Sequence, residues 1–381
     1  MWTYFASRSL ASGIALTCLA SFASAGHPLV ADDGVYALWY SPHGESLFTV
    51  STPHNIFTVR PIPRVREWDA KTLRLRSEIG TFEPKGRSSV YLRGATSLDG
   101  SIVATLYSEV TPTRGRPEEQ SVLTIWNREG KRVQELSPVG GARDVVLSPN
   151  GTFFAAICGN TIEVFDLKTI VNVATLGRHV ARRDIGATKA GTPFSASRVL
   201  FSPDGKYLAT AGADGCVRLW SVPQFEEVAC WNQHADRLDS YTRNKITGLA
   251  FTSDNKTIVS AADDGQVVIW DVKTGHLIRT IQVHPFPGTA GVEEPGKIDL
   301  RTTPVIIAIS PDASRLATAD AGRVALWDLS SGTLLAEDRK NLPSLSCLAF
   351  SPDGSELSAP GHSRGIVRWD VKSAPARLQK K

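Results

Sequence analysis

Short apolar runs alternate with turn-forming residues along most of the chain. The run Arg198–Phe201 (RVLF), for example, leads into Ser202-Pro-Asp-Gly205, and the run Tyr207–Thr210 (YLAT) follows it. Proline presets φ for a turn, Asp or Asn binds the local backbone, and Gly accepts a positive φ. The 31 Gly and 22 Pro among 381 residues also suit strands and turns better than long helices. The pattern predicts short antiparallel strands joined by hairpins.

Two motifs recur seven times each, in strict alternation, which is the mark of a repeat architecture. The turn motif begins at Ser41, Ser97, Ser148, Ser202, Thr252, Ser310 and Ser351. The second motif, Trp-Asp or a close variant, begins at Trp68, Trp126, Phe165, Trp220, Trp270, Trp327 and Trp369. Each unit contains four predicted strands, and a single sheet of four strands cannot bury both of its faces. Seven such sheets arranged radially can, because each face packs on a neighbour.

The two interlocking motifs resemble those of the WD40-repeat family, and the resemblance covers nearly all of residues 27–378. It implies an all-β fold, a seven-bladed β-propeller of four-stranded antiparallel blades. We expect one domain over residues 26–381, with approximate blades at 33–80, 88–137, 140–178, 195–233, 245–284, 303–338 and 343–379. We expect the C-terminal residues 376–379 to complete blade 7, in preference to residues 27–31 from the N-terminal end.

The family pattern implies a hydrogen-bond network in which a Trp of the third strand meets a Ser or Thr, an Asp and a His. Blade 5 offers Ser260, Asp264 and Trp270, with His234 as the candidate histidine. Blade 4 offers Thr210, Asp214 and Trp220, with His179. Both histidines stand further upstream than the family spacing, and blade 6 has Ala321 where the Asp would stand. The remaining structural positions are Trp68, Trp126, Phe165, Trp327 and Trp369. A hydrolase would need an exposed nucleophile, so we interpret this set as architecture.

The connections between predicted strands differ in length, and the long ones point to a functional face. Insertions fall at about 51–64 and 109–120 between second and third strands, and at about 178–194, 233–245 and 285–303 between blades. Both kinds of connection emerge on the same rim of a propeller, which we call the top face. Loops carry most function on a rigid scaffold, although surface loops also drift in length at little cost. We expect the top face to bind a partner.

Charge on these insertions is uneven. The candidate partner-binding residues are Arg60, Arg64, Arg178, Arg182, Arg183, Lys189, Tyr241 and Arg243. The insertion near 285–303 is mildly acidic, with Glu293, Glu294 and Asp299 against Lys297 and Arg301. This arrangement favours an acidic protein ligand held in one orientation. A solvated charged loop would look the same.

The first residues read as a secretory signal peptide over 1–25. Arg8 precedes the apolar stretch 10–22, and Ala23-Ser-Ala25 resembles a cleavage site. We therefore expect export to the periplasm, the cell surface or the medium. Cys18 would leave with the signal, and the remaining Cys158, Cys216, Cys230 and Cys347 are too few for a disulfide framework in a large exported chain. For Cys216 and Cys230 we favour free buried thiols over a disulfide. Cys216 and Cys230 flank one predicted hairpin, and a simple count places them diagonally.

Motifs for other chemistry are missing from the sequence. It has no haem-attachment, zinc, Walker or dinucleotide signature. The net charge of +4 is too small to argue for nucleic acid, and no segment after the signal is transmembrane. The resemblance implies a monomeric, non-catalytic protein-interaction platform without a cofactor, whose partner is an unidentified protein. The alternatives are an enzyme or small-ligand binder using the central channel, and a subunit that only helps to assemble a larger envelope machine.

Overall fold

The computed structural model describes the strands of all seven blades. The described residues are 33–41, 45–53, 64–81, 92–97, 101–111, 118–127, 129–140, 142–158, 161–177, 179, 196–236, 245–283, 305–320, 323–338, 345, 347–360, 366–372 and 379–380. The predicted signal peptide lies outside them. No helix within these ranges is long and apolar enough to cross a membrane.

Blades 1 to 4 each contain four consecutive strands. Blade 1 has β1 to β4, which are Asp33–Tyr40, Ser46–Pro53, Arg64–Asp69 and Leu75–Thr81. Blade 2 has β5 to β8, which are Leu92–Thr96, Ile102–Thr111, Glu118–Asn127 and Arg132–Gly140. Blade 3 has β9 to β12, which are Ala142–Leu147, Phe153–Cys158, Thr161–Asp166 and Asn172–Leu176. Blade 4 has β13 to β16, which are Ala196–Phe201, Tyr207–Gly212, Val217–Ser221 and Glu227–Trp231.

Blades 5 to 7 follow the same order. Blade 5 has β17 to β20, which are Ile246–Phe251, Thr257–Ala262, Gln266–Asp271 and Leu277–Gln282. Blade 6 has β21 to β24, which are Ile306–Ile309, Arg315–Asp320, Arg323–Asp328 and Leu334–Asp338. Blade 7 has β25 to β28, which are Ala349–Phe350, Glu356–Pro360, Ile366–Asp370 and Gln379–Lys380. All pairings are antiparallel between consecutive strands, so the predicted seven-bladed all-β propeller is confirmed.

Apolar side chains fill the spaces between blades. One buried cluster joins Val259 and Ile269 of blade 5 to Leu316 and Trp327 of blade 6, and similar clusters join the other neighbours. The second strands are therefore buried on both faces, as in β18, where only the first residue is partly exposed. The fourth strands form the outer edge, and most of β20 is exposed. Each sheet is stable only because two neighbours cover it.

The first turn of each blade is closed by the Ser or Thr that begins its motif. In blade 4, the Ser202 hydroxyl donates to Asp204 Oδ1 at 2.7 Å and accepts the Tyr207 N–H at 3.0 Å. The same pair of bonds recurs at Ser310 and Ser351. The fourth position of the turn has positive φ, 70° at Gly205, which is why Gly is common there.

The tryptophan of the second motif is an architectural residue. In five blades its Nε1 donates to a Ser or Thr hydroxyl of the second strand at 2.8–3.0 Å. That Ser or Thr stands two residues after the residue that pairs with the tryptophan in the sheet. Those hydroxyls belong to Thr49, Thr105, Thr210, Ser260 and Thr318. Blade 3 has Phe165 and needs no acceptor, so Ala156 stands in that place and Phe165 stacks on Phe154.

The aspartate of the second motif closes the turn to the fourth strand. Asp271 Oδ1 accepts the Thr274 N–H at 2.7 Å and the Thr274 hydroxyl at 2.8 Å. Asp69, Asp166 and Asp328 make the same bonds. These hydrogen bonds lower the pKa of each carboxyl, to about 2 at Asp328. A Trp-Asp pair thus joins a buried indole to a charged turn at the surface.

The ring closes between blades 7 and 1 through side chains. The C-terminal strand β28 completes blade 7, and of the residues 376–379 that we expected in this strand only Gln379 lies in the described part of the chain. No described strand is shared between the two blades. The Tyr40 hydroxyl and Ser358 Oγ lie 2.8 Å apart across the seam. Arg368 donates to the Ala70 carbonyl oxygen and pairs with Glu356 at 3.0 Å.

Three expectations need correction. Part of the predicted insertion at 109–120 is strand, because β6 and β7 stay paired as far as Thr111 and Glu118. Strand β8 follows this extension to Gly140, beyond the predicted end of blade 2. All four described cysteines are free thiols, but only Cys158 is fully buried. The prediction of a buried thiol is wrong for Cys230, which lies exposed on the outer strand β16.

Candidate interaction face

In blade 4, a chain of hydrogen bonds runs from the core to the top face. Trp220 Nε1 donates to Thr210 Oγ1 at 3.0 Å, and Thr210 Oγ1 lies 2.9 Å from His179 Nε2. His179 Nδ1 lies 2.8 Å from Asp214 Oδ1, and Arg218 donates to Asp214 Oδ2 at 2.7 Å. A neutral His179 with its proton on Nδ1 satisfies every link except a second approach of Arg218 to that nitrogen, at 2.7 Å. The membership of His179, which its spacing left open, is confirmed.

Local backbone structure places His179 and Asp214 in this network. His179 follows the end of β12, so it belongs to the connection from blade 3 to blade 4. Asp214 lies in the turn between β14 and β15, where Gly215 has a φ of 71°. Asp214 Oδ1 also accepts the Cys216 N–H at 3.1 Å. The bond between His179 and Asp214 therefore ties an inter-blade connection to a second-to-third-strand turn, on one face.

The electrostatics of Asp214 favour a structural role. Burial opposes its ionisation, but the hydrogen bonds from His179 and Arg218 and the charge of Arg218 outweigh burial, so the pKa of Asp214 is lowered. The Thr210 hydroxyl and the His179 ring have no exposed surface. No substrate atom can reach them, so the Thr-His-Asp set cannot serve as a nucleophilic triad.

Blade 5 repeats the network in a looser form. His234 lies in a short 3-10 helix, Gln233–Asp236, and its Nε2 is 2.9 Å from Ser260 Oγ, which accepts the Trp270 N–H at 3.0 Å. The distance from His234 Nδ1 to Asp264 Oδ2 is 4.0 Å, too long for a hydrogen bond. Both atoms are buried without a hydrogen-bond partner among the described residues. Asp264 Oδ1 accepts the Gln266 N–H at 2.8 Å instead.

Asp263, beside this network, is a buried carboxyl with a raised pKa. It is 6% exposed, and its backbone N–H donates to the Lys245 carbonyl oxygen at 3.1 Å. Burial and the neighbouring charge of Asp264 raise the pKa of Asp263 to about 7. Blade 4 has Ala213 at the matching place in its turn. The sequence signal was therefore an extra acid in a turn that needs only one.

Of the eight predicted partner-binding residues, only Arg64 lies in the described part of the chain. Arg64 is half-buried at the start of β3, opposite Ser51 and Thr81. The other predicted residues lie outside the described part of the chain: Arg60, Arg178, Arg182, Arg183, Lys189, Tyr241 and Arg243. Sequence reasoning missed Arg218, which completes the blade 4 network. The only signal was a charged residue at an inward position, two before the tryptophan.

The described residues bring together no group of three or more His, Cys, Asp or Glu side chains that could hold a metal ion. What they do bring together are buried hydrogen-bond networks at the top of blades 4 and 5. In both blades the network joins an inter-blade connection to the second strand.

Comparison with known proteins agrees with this geometry. The family model "WD domain, G-beta repeat" matches residues 191–221 and 233–271, which contain most of blades 4 and 5. The chain carries WD40 repeats. The matched residues include Thr210, Asp214 and Trp220 of blade 4 and His234, Ser260, Asp264 and Trp270 of blade 5, whereas His179 precedes the first matched segment.

Several curated WD40-repeat relatives match part of the chain. It is 23% identical over 246 residues to transducin beta-like protein 3 of Bos taurus, covering 64% of this chain and 26% of that protein. It is 26% identical over 179 residues to protein groucho of Drosophila melanogaster, covering 46% and 22%. It is 27% identical over 176 residues to target of rapamycin complex subunit wat1 of Schizosaccharomyces pombe, covering 45% and 48%. The matched region thus spans between a fifth and a half of these relatives.

A solved propeller supports the fold over most of the chain. The β-propeller domain of Cps50 (Swd1) from Myceliophteria thermophila superposes with a TM-score of 0.64 at 14% identity. The superposition covers 89% of this chain and 97% of that domain. At this identity the likeness shows the fold alone.

Proposed function

We propose that this WD40 propeller is a non-catalytic platform that binds a protein partner through the top face. The blades present the connections rigidly, and no cofactor takes part. WD40 propellers are protein-interaction scaffolds, and wat1 is by its name a subunit of a complex. We further propose that the chain is exported, on the pattern of its first 25 residues. Its partner would then belong to the envelope or the medium.

The observation that carries the proposal is the pair of bonds from His179 to Thr210 and Asp214. These bonds fix the first part of the blade 3–4 connection to the rim of blade 4. Arg182 and Arg183 follow His179 by three and four residues, and four residues of chain span at most about 14 Å. We propose that these two arginines, close in sequence to the anchored His179, contact an acidic partner.

Two further anchors support the same face. The Lys245 carbonyl accepts the N–H of Asp263 in the second-to-third-strand turn of blade 5, and Tyr241 precedes Lys245 by four residues. Arg60 precedes Arg64 by four residues, and Arg64 begins a third strand. Three segments next to these anchored residues contain basic or aromatic residues in the sequence, a composition that suits a protein interface.

A charge-reversal pull-down tests the platform and the face together. The mature chain, an Arg182→Glu/Arg183→Glu variant and a Lys206→Glu/Lys256→Glu control would be crosslinked in the native envelope or medium. Lys206 and Lys256 are exposed in first turns, on the opposite rim, and the control makes the same change of charge. Circular dichroism would establish that all three proteins fold.

The proposal expects a partner that is captured by the wild type and by the control, and lost at least tenfold by the arginine variant. Equal capture by all three proteins would contradict binding through the basic part of the top face. Loss in the control alone would place the interface on the opposite rim. Failure of the wild type to capture any protein would contradict the platform and favour a small ligand in the channel.

A further inference from the structure

Two free thiols meet at the top of blade 4. Arg218 on β15 stands directly opposite Cys230 on β16, so Cys216, two residues before Arg218, lies diagonal to Cys230. The two thiols are close enough for each to affect the ionisation of the other, and the Cys216 thiol donates a hydrogen bond to the Asp214 carbonyl oxygen at 3.6 Å. Neither takes part in a disulfide, and Cys230 is exposed. An exposed thiol beside a second, partly buried thiol is the arrangement of a nucleophilic and a resolving cysteine.

We propose that Cys216 and Cys230 form a reversible intramolecular disulfide by exchange with a low-molecular-weight disulfide. The Cys230 thiolate attacks one sulfur of the external disulfide, forms a mixed disulfide and releases one thiolate. Cys216 then loses its proton, attacks Cys230 Sγ and releases the second thiolate. The protein dithiol gives up two electrons and two protons, and the external disulfide becomes two thiols.

The surroundings assign the two roles. The interaction with Cys216 and the charge of Arg218 lower the pKa of Cys230 to about 7, against burial and the charges of Glu227 and Asp214. The interaction with Cys230, with burial and the charge of Asp214, raises the pKa of Cys216. Cys230 is therefore the thiol of the pair that ionises first. Once Cys230 carries a mixed disulfide its negative charge is gone, and the largest barrier to ionising Cys216 goes with it.

A disulfide between Cys216 and Cys230 requires one of the two residues to shift, and Cys216 is the one that lies outside a strand. Diagonal residues of a sheet stand further apart than the Cβ separation of about 3.8 Å that a disulfide prefers, so one of the two must shift. Cys216 precedes the first residue of β15 and lies outside its ladder. Asp214 Oδ1 accepts its N–H, and Asp214 also binds His179. Oxidation would therefore staple the outer strand to the turn that anchors the blade 3–4 connection.

The test is oxidation of the intact chain in glutathione buffers of defined ratio at pH 7.5, followed by alkylation and mass spectrometry. The wild type should lose two hydrogen atoms as the oxidised fraction rises, and dithiothreitol should restore them. Trypsin cleaves after Arg218, so a disulfide would join two separate peptides that contain Cys216 and Cys230. A persistent glutathione adduct on Cys230 of the wild type, without that crosslink, would overturn the proposal.

Single variants separate the roles. Cys216→Ser should accumulate a stable glutathione adduct on Cys230, because no resolving thiol remains. Cys230→Ser should react at least tenfold more slowly. Cys158→Ser is the matched control and should behave as the wild type, since burial raises the pKa of Cys158 to about 12. Equal reaction rates in Cys230→Ser and wild type would refute the assignment.

Alkylation of the wild type keeps the proposal testable if a variant fails to fold. Cys230 should react with iodoacetamide before the other thiols, with a pH midpoint near 7. A midpoint at the ordinary thiol value of about 8.5 would show that the thiol pair does not stabilise the thiolate.

Discussion

Ala313 has a φ of 56°, a backbone conformation that favours glycine. It stands at the fourth position of the first turn of blade 6, where Gly151, Gly205 and Gly354 occupy the matching place in other blades. Asn255 holds the same position in blade 5 with a φ of 61°. A side chain with a Cβ costs about 1–2 kcal/mol in this region, and Asn tolerates it better than Ala. The first turn of blade 6 is therefore strained, because Ala313 occupies a position whose backbone conformation favours glycine.

We expect Ala313→Gly to raise the free energy of unfolding by about 0.5–1 kcal/mol, because relief of strain exceeds the greater chain entropy of glycine. The matched change is Gly354→Ala, where a Cβ would meet only Pro311 Cδ at 3.7 Å. With no steric clash, its expected loss of about 1 kcal/mol would come from φ alone. Urea unfolding of the three proteins measures both effects, and stabilisation by both substitutions would contradict the argument.

Asp263 gives the stability of the propeller an unusual dependence on pH. Its pKa is about 7 in the folded chain and lies near 3.9 when unfolded, so between these values the folded state binds more protons. Stability from this group is therefore lost as pH rises from about 4 to 7. Asp328 acts in the opposite sense: its lowered pKa contributes stability that is lost as pH falls below about 4.

We expect Asp263→Asn to be more stable than wild type at pH 8, by on the order of 3 kcal/mol, and to lose that advantage near pH 4. Asp328→Asn keeps an oxygen acceptor for its turn. The difference in free energy of unfolding between Asp328→Asn and wild type should therefore stay constant between pH 5 and 8. Urea midpoints at unit steps of pH measure the difference. Parallel profiles for wild type and Asp263→Asn would contradict a raised pKa at Asp263.

Single residues also show what the sequence could predict. The acceptor for each tryptophan follows from strand register, because the hydroxyl stands two residues beyond the paired position, as Thr210 does for Trp220. Blade 7 has Ala359 there, and Trp369 donates instead to Asp338 Oδ2 of blade 6, at 3.1 Å. No pattern within blade 7 indicates that partner, because it comes from the preceding blade. Contacts between blades depend on the closed ring.

At the level of strands and blades, the seam between blades 7 and 1 is the part that sequence periodicity describes least. Every blade contains four consecutive strands, so the joint depends on side chains such as Tyr40 and Ser358. Burial raises the pKa of Tyr40 against the opposing hydrogen bond with Ser358. Leu38 and Trp68 of blade 1 pack on Ala349 and Ile366 of blade 7. The repeat predicts seven units, but not the contacts that close them.

We expect Tyr40→Phe to lower the free energy of unfolding by about 1 kcal/mol, because Ser358 loses its partner in a buried seam. Tyr207→Phe is the control, since the Tyr207 hydroxyl makes no hydrogen bond among the described residues, and its effect should stay within about 0.3 kcal/mol. Chemical unfolding of both variants decides the comparison. Equal effects would mean that the seam bond adds nothing.

For the whole molecule, closure distinguishes this propeller from an open stack of repeats. In an open stack the terminal repeat has one neighbour, and its loss exposes one face. In this ring blade 7 lies between blades 6 and 1. Its fully buried Trp369 and Leu357 join the cluster of blade 6, and Ile366 joins that of blade 1. Removal of blade 7 therefore exposes two apolar faces at once. The free energy of unfolding should fall by more than the loss of one terminal repeat would cost in an open stack.

We expect a chain ending at Asp338 to lose cooperative unfolding, because the exposed faces of blades 1 and 6 have no cover. The matched truncation ends at Lys372 and removes only the segment that contains β28, which pairs with Trp369 and Asp370 alone. That shorter deletion should keep one cooperative transition and lower Tm by roughly 5 °C or less. Calorimetry and size-exclusion chromatography measure both. A six-bladed chain that melts as sharply as the wild type would show that six blades can close the ring, and that the seam at Tyr40 and Ser358 is not needed.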